Sequence, residues 1–171
     1  MKKYFFFLLY GKIKIEKLSN KKYLVKKLKI NKSEFINLYK IIDGRIYTDC
    51  NTNVAYIKGN KLIQKISYQQ NKHSLGSLKY NSTLQKGTPA FKKKMIGRVF
   101  SLVQGASGSN YFHWLFDLLP KIEILYKNDY LKNIDFFYVP MINSFILKTL
   151  RPYGIKKKQL INSSDQKHIE A

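Results

Sequence analysis

Cysteine occurs once, at Cys50, which excludes a disulfide scaffold and a thiolate zinc cage and fits a reducing compartment. Acidic residues are scarce: 10 Asp+Glu stand against 32 Lys+Arg, for a formal net charge of +22, and no carboxylate lies between Asp49 and Asp117. Arginine is nearly missing too, with Arg45, Arg98 and Arg151 its only occurrences. A protein that reads bases leans on the planar arginine fork, so this lysine-rich balance disfavours sequence readout of nucleic acid. No apolar run approaches the ~20 residues that a membrane helix needs. What is present suffices for a core: 171 residues, 44% hydrophobic and 15% aromatic, exclude a wholly disordered tail. The length fits one ordinary domain or part of a larger one.

The positive charge is lopsided, at +19 over residues 1–100 and +3 over residues 101–171. Such a field attracts phosphates of any kind, whether nucleic acid, anionic lipid or a sugar nucleotide. Abundant Lys, Asn, Ile, Tyr and Phe together point to an AT-rich coding genome, so a solvated lysine surface is the leading reading of the charge. Attraction to an anionic membrane comes next, and nucleic acid last. Near the start, Lys2 and Lys3 precede an apolar run from Tyr4 to Tyr10 with the outline of a signal peptide. Lys12, Lys14 and Lys17 follow it without a small-residue cleavage site, so a buried strand and a cytoplasmic protein are expected, with attachment to the inner membrane face left open.

Along the chain, Lys12–Leu18 alternates with period two, Asp43-Gly44 signals a turn, and Gly59-Asn60 joins Val54–Ile57 to Leu62–Ser67 as a hairpin. Residues 69–94 are polar and loop-like. From Val99 the pattern changes to strand, small-residue loop (Gly105–Asn110), helix, strand (the run before Pro140), helix (stopped by Gly154) and strand. That order is expected for an α/β fold: a β-rich lead-in over 1–98, then the start of an open parallel, Rossmann-like lobe over 99–171. Phe112, Leu115, Phe116, Leu119 and Ile122 trace an apolar helix face, Asn110 or Ser109 can cap it, and Pro120 is expected to kink or restart it.

The segment with chemical content is Val103–Leu125. A Gly/Ser loop (Gly105, Ser107, Gly108, Ser109) runs from a strand end into a helix start, where unpaired N–H groups favour an anion. His113 and Asp117, four apart, share one helix face, and a carboxylate beside an imidazole orients it for taking a proton from a hydroxyl. Asn110 lies one turn earlier, while Tyr111 and Trp114 can pack on a sugar ring, burial being the competing reading for both. His73 and His168 sit in polar segments and are expected in solvent; Cys50, with no base nearby, is not expected to be a nucleophile.

NYFHWLFDLLPKIEIL resembles the Asn–x–x–His–x–x–x–Asp…Leu-Pro signature of glycosyltransferase family 61, which includes bacterial capsular and lipopolysaccharide transferases and eukaryotic O-linked sugar transferases. DGRIYTDCNTNVAYIKGNKLIQKISYQ and KGTPAFKKKMIGRVFSLVQG are similar to the β-rich lead-in of its bacterial members, so the likeness covers about residues 40–171. It implies an inverting transfer from a nucleotide sugar to a glycan or glycolipid acceptor in a two-lobed GT-B architecture, with the acceptor on the first lobe and the donor held mostly by the second. His113 then matches the general base, oriented by Asp117, with Asp117 itself as base the close alternative, and Asn110 positioning substrate or loop. No DxD metal motif occurs, so no metal or other cofactor is expected beyond the donor. The donor lobe is not among these residues. A fragment, a shortened frame or one half of a split enzyme completed by a second chain is therefore expected, inactive alone and with an exposed sheet edge and apolar helix face. A basic nucleic-acid-binding module and a non-catalytic membrane-surface scaffold are the competing readings.

Overall fold

A computed structural model describes residues 2–16, 23–71, 74–75, 80–104 and 110–171. Two sheets and a helical layer carry the architecture. The larger sheet is built mainly from the first part of the chain. Its strands are β1 (Lys14–Glu16), β4 (Gly44–Thr48), β5 (Asn53–Lys58), β6 (Lys61–Ile63), β7 (Tyr68–Asn71), β8 (Ser74–Leu75), β9 (Lys92–Lys94) and β13 (His168–Glu170). They run in the order β1-β6-β5-β4-β13-β9, with β7 on β5 and β8 on β7. The hairpin anticipated around Gly59-Asn60 is β5–β6, pairing Ile57 with Leu62, with its second strand ending at Ile63. Strands β2 (Leu24–Lys29) and β3 (Phe35–Tyr39) form a separate antiparallel pair.

The smaller sheet is β10 (Val99–Ser101), β11 (Phe136–Val139) and β12 (Leu160–Asn162), all parallel and in chain order. Helix α2 (Ser82–Lys86) precedes β9, and between the parallel strands lie α3 (Tyr111–His113), a π-helical turn over Trp114–Leu118, α4 (Leu119–Lys127) and α5 (Ser144–Leu150). Residues alternate faces along a strand. Phe137 and Val139 therefore pack on one side against Trp114, Leu118 and Ile122 of the first helical segment and Ile146 and Leu150 of α5. Tyr138 points the other way and packs with Val54, Val103 and Ile169 from the larger sheet and its neighbours. Helices thus cover one face of the parallel sheet and the larger sheet covers the other. The mixed α/β class is as expected. The boundary at residue 98 separates β1–β9 from β10–β12, and β13 returns across it to lie between β4 and β9.

Several expectations are corrected. The run Tyr4–Tyr10 is not a strand but lies in helix α1 (Lys2–Tyr10). Coiling places Phe6 and Tyr10 one turn apart, rings stacked at 6.1 Å, and brings Phe6 against Phe91. Gly11 ends the helix at φ +76°, donating to the Phe7 carbonyl at 2.8 Å, in a conformation where a Cβ would run into Asn60. Among the described residues no helix is long and apolar enough to cross a membrane.

The helix face is also shifted. Trp114, Leu118, Ile122 and Leu125 form the buried stripe, while Phe112 and Phe116 stack on each other in solvent at 4.6 Å. The segment is apolar nearly all round, so periodicity did not single out a face. Pro120 does restart the helix: the Leu119 N–H reaches back five residues to Trp114, and the wide turn absorbs the hydrogen bond that Pro120 cannot donate.

Candidate active site

The site begins where β10 runs out toward the helical layer. Asn110 is the N-cap of α3, its side-chain oxygen accepting from the Phe112 N–H at 3.0 Å. Gly105, Ser107, Gly108 and Ser109, read as substrate-binding loop residues, lie outside the described residues, as does His73. Beyond the cap, His113 and Asp117 meet as their spacing requires. The Nδ1–H of His113 donates to Asp117 Oδ2 at 2.6 Å, and the two side chains are 30% and 33% exposed. That bond fixes the tautomer and leaves Nε2 as the nitrogen able to accept a proton. The pair is therefore neither sealed in the core nor fully solvated.

Gln104 links the pair to a cleft between the helical layer and the larger sheet, whose walls include neither His113 nor Asp117. Asp117 Oδ2 also receives a long hydrogen bond, 3.5 Å, from the Gln104 side-chain amide, and Lys121 Nζ donates to Gln104 Oε1 at 3.1 Å. His113, Asp117 and Lys121, each four residues from the last, thus form a polar line bridged by Gln104. Burial pulls the Lys121 ammonium below the ordinary lysine range, opposed by the Asp117 charge. Burial pushes the Tyr68 phenol up, with Asp117 adding to the shift. Two adjoining hollows of about 360 and 390 Å³ share Tyr56, Ile66 and Lys121 in their walls, and Gln104 and Tyr68 line the second.

The other sequence candidates fare unequally. Trp114 offers no face to a sugar: it is 2% exposed, its indole N–H donates to Thr149 Oγ1 at 2.9 Å, and the ring is part of the helix–sheet core. Tyr111 remains exposed and lies on Phe145 with ring centroids 4.0 Å apart. His168 is not in solvent. It is fully buried on β13, with Nδ1–H donating to the Ala90 carbonyl at 3.1 Å and Nε2 without a partner among the described residues. The Cys50 thiol, pushed up by burial, contacts the Ser163 carbonyl at 3.2 Å. Gln104 and Lys121 were missed at the sequence level. Lys121 stood in the same four-residue repeat as the dyad, but Gln104 is brought to it only by the course of the chain after β10. Among the described residues no cluster of His, Cys, Asp or Glu is arranged to hold a metal ion.

Comparison with family patterns, with curated proteins and with solved structures finds no match for this chain.

Proposed function

We propose that this chain is the acceptor-side part of an inverting glycosyltransferase that moves a sugar from a nucleotide sugar to a glycan or glycolipid. The observation that carries the reading is the short His113–Asp117 hydrogen bond, linked through Gln104 to a cleft beside a parallel sheet. In this scheme Asp117 holds the imidazole with Nδ1–H turned inward, and Nε2 of His113 takes the proton from an acceptor hydroxyl. The freed oxygen attacks the anomeric carbon of the donor as the bond to the diphosphate breaks on the opposite face, so configuration inverts. The proton ends on His113 and the electron pair leaves with the nucleotide diphosphate. A base in this role contributes about 10²–10⁴ in rate. Asn110, by capping the helix, fixes the direction in which the dyad faces.

A glycan array probed with the purified chain tests the reading. Retained glycans should perturb the His113 ring signals in NMR titrations, and Asp117→Asn should weaken that response. If no glycan engages the dyad, while nucleic acid binds with a steep salt dependence that His113→Ala leaves unchanged, a basic binding module takes its place.

One observation favours attachment to a membrane surface alongside this activity. Helix α1 exposes Tyr4, Phe5, Leu8 and Leu9, with Lys12 just beyond its end. Apolar side chains beside lysines suit an anionic interface. Flotation with phosphatidylglycerol vesicles should carry the wild type and leave a Leu8→Asp/Leu9→Asp variant behind.

A further inference from the structure

The proton-transfer scheme makes no use of Lys121, yet this lysine is unlike most of the others. The chain keeps its surplus of positive charge mainly at the surface, where ammonium groups are hydrated. Lys121 is drawn into the cleft, where it lines both hollows. An ammonium has three donors. One goes to Gln104 Oε1, and among the described residues Lys121 forms no ion pair. Asp117 acts on it through space, but that carboxylate is engaged by His113 and Gln104.

A part-buried cation with donors to spare costs stability unless an acceptor completes its shell. Among the described residues no aspartate or glutamate side chain lines either hollow. The Ser101 hydroxyl, which accepts from the Tyr56 hydroxyl, keeps its own proton to donate to an oxyanion or to a sugar hydroxyl. Each hollow is of small-ligand size, within the range of about 300–1,000 Å³ usual for such sites.

We propose that the Lys121 cleft binds the carboxylate or phosphoryl group of an acidic sugar unit in the acceptor. This rests on the glycosyltransferase reading and narrows its substrate class. The acidic group, anchored one turn below Asp117, leaves a hydroxyl of the same or the next sugar to reach the dyad.

Calorimetric titration with D-glucuronic acid, glucose 6-phosphate, glucose and inorganic phosphate separates the sources of the anion, and the Gln104 side-chain amide signal locates it. Glucuronic acid or glucose 6-phosphate should bind at least about tenfold more tightly than glucose, as expected for a charge-assisted contact, and should shift the Gln104 signal. Lys121→Met should remove that preference, Lys121→Gln should do the same if the methionine variant folds poorly, and His113→Ala should retain it. The inference is overturned if glucose binds as well as the acidic sugars, if the Gln104 signal of the wild type does not move, or if free phosphate binds as tightly as either sugar. Neutral glycans that engage the dyad with no acidic preference would sink the Lys121 site and spare the transferase reading. Acidic sugars bound at Lys121 with the dyad silent toward every glycan would support the anion site and sink the transferase.

Discussion

His168 should make this fold sensitive to acid through a single buried ring. Its imidazole is fully buried between Tyr10 and Tyr47, whose rings stand edge-on at centroid distances of 4.9 and 6.0 Å. Burial drives its pKa down to about 4, helped by the positive charges of Arg45 and Lys92, while the bond to the Ala90 carbonyl and the charge of Glu170 pull the other way. The ordinary histidine value is about 6.5. The folded value lies below the unfolded one, so the neutral ring contributes stability that is whole above pH 6.5, falls away as pH drops from there, and is gone below about 4. Between pH 7.5 and pH 5 the loss from this one group is about 2 kcal/mol, rising to about 3 kcal/mol at lower pH. His168→Phe keeps an aromatic ring in the site and removes the titration. It gives up the bond to Ala90, which costs about 1–2 kcal/mol at pH 7.5. Urea denaturation of both proteins from pH 7.5 to pH 4.5 measures the difference, because every other titrating group is common to the two. The variant should begin less stable and lose about 2 kcal/mol less by pH 5. Parallel curves for the two proteins would refute a buried neutral imidazole at this position.

Two more substitutions test the site and its support. Trp114→Ala should cost about 3–5 kcal/mol in urea denaturation, as expected for truncating a buried indole, and Trp114→Phe much less; an alanine variant within 1 kcal/mol of wild type would mean that the ring lies outside the core. His113→Ala and Asp117→Asn should each change stability by no more than about 1 kcal/mol, because a part-exposed pair contributes little to folding. A larger loss in either, read from the same denaturation curves, would make the dyad a structural element and remove the basis for assigning it chemistry.

What was legible in the sequence is what short-range chemistry decides. Gly59-Asn60 turns β5 into β6, and Gly154 ends the turn after α5 at φ +73°, each within a few residues of the element it shapes. The contact between His113 and Asp117 belongs to the same kind, since a helical turn brings residues four apart together whatever surrounds them. Helix α1 was misread although its signal was present: a short apolar run closed by Gly11 is the pattern of a helix with a left-handed stop. The buried face of the long helical segment was not decidable, because Tyr111, Phe112, Trp114, Leu115 and Phe116 offer apolar groups on every side and only the sheet selects among them. His168 was out of reach for a different reason. Its burial depends on β13 pairing with β4, more than a hundred residues upstream, and a polar-looking tripeptide carries no trace of that.

The late strand also explains why a cleft exists beside the helical layer. β13 lies antiparallel to β4 and parallel to β9, and Ala171 and Gly44 exchange two backbone hydrogen bonds at its end. Ile169, pointing inward from this strand, packs with Val54, Val103 and Tyr138 where the two sheets face each other, and it also lines the first hollow beside Lys121. Its neighbours His168 and Glu170 point away from that junction, toward the Tyr10 ring and the Lys92 ammonium, the latter at 2.6 Å. Period-two alternation therefore divides the strand's work. One face helps to hold the sheets at the spacing that leaves the cleft open, and the other ties β9 and helix α1 to the larger sheet. A perturbation on the outer face, such as protonating His168, reaches the cleft through the backbone of a three-residue strand, while the helical layer that carries His113 and Asp117 has its own core against Phe137 and Val139. The dyad geometry and the cleft wall are thus stabilised by separate sets of contacts.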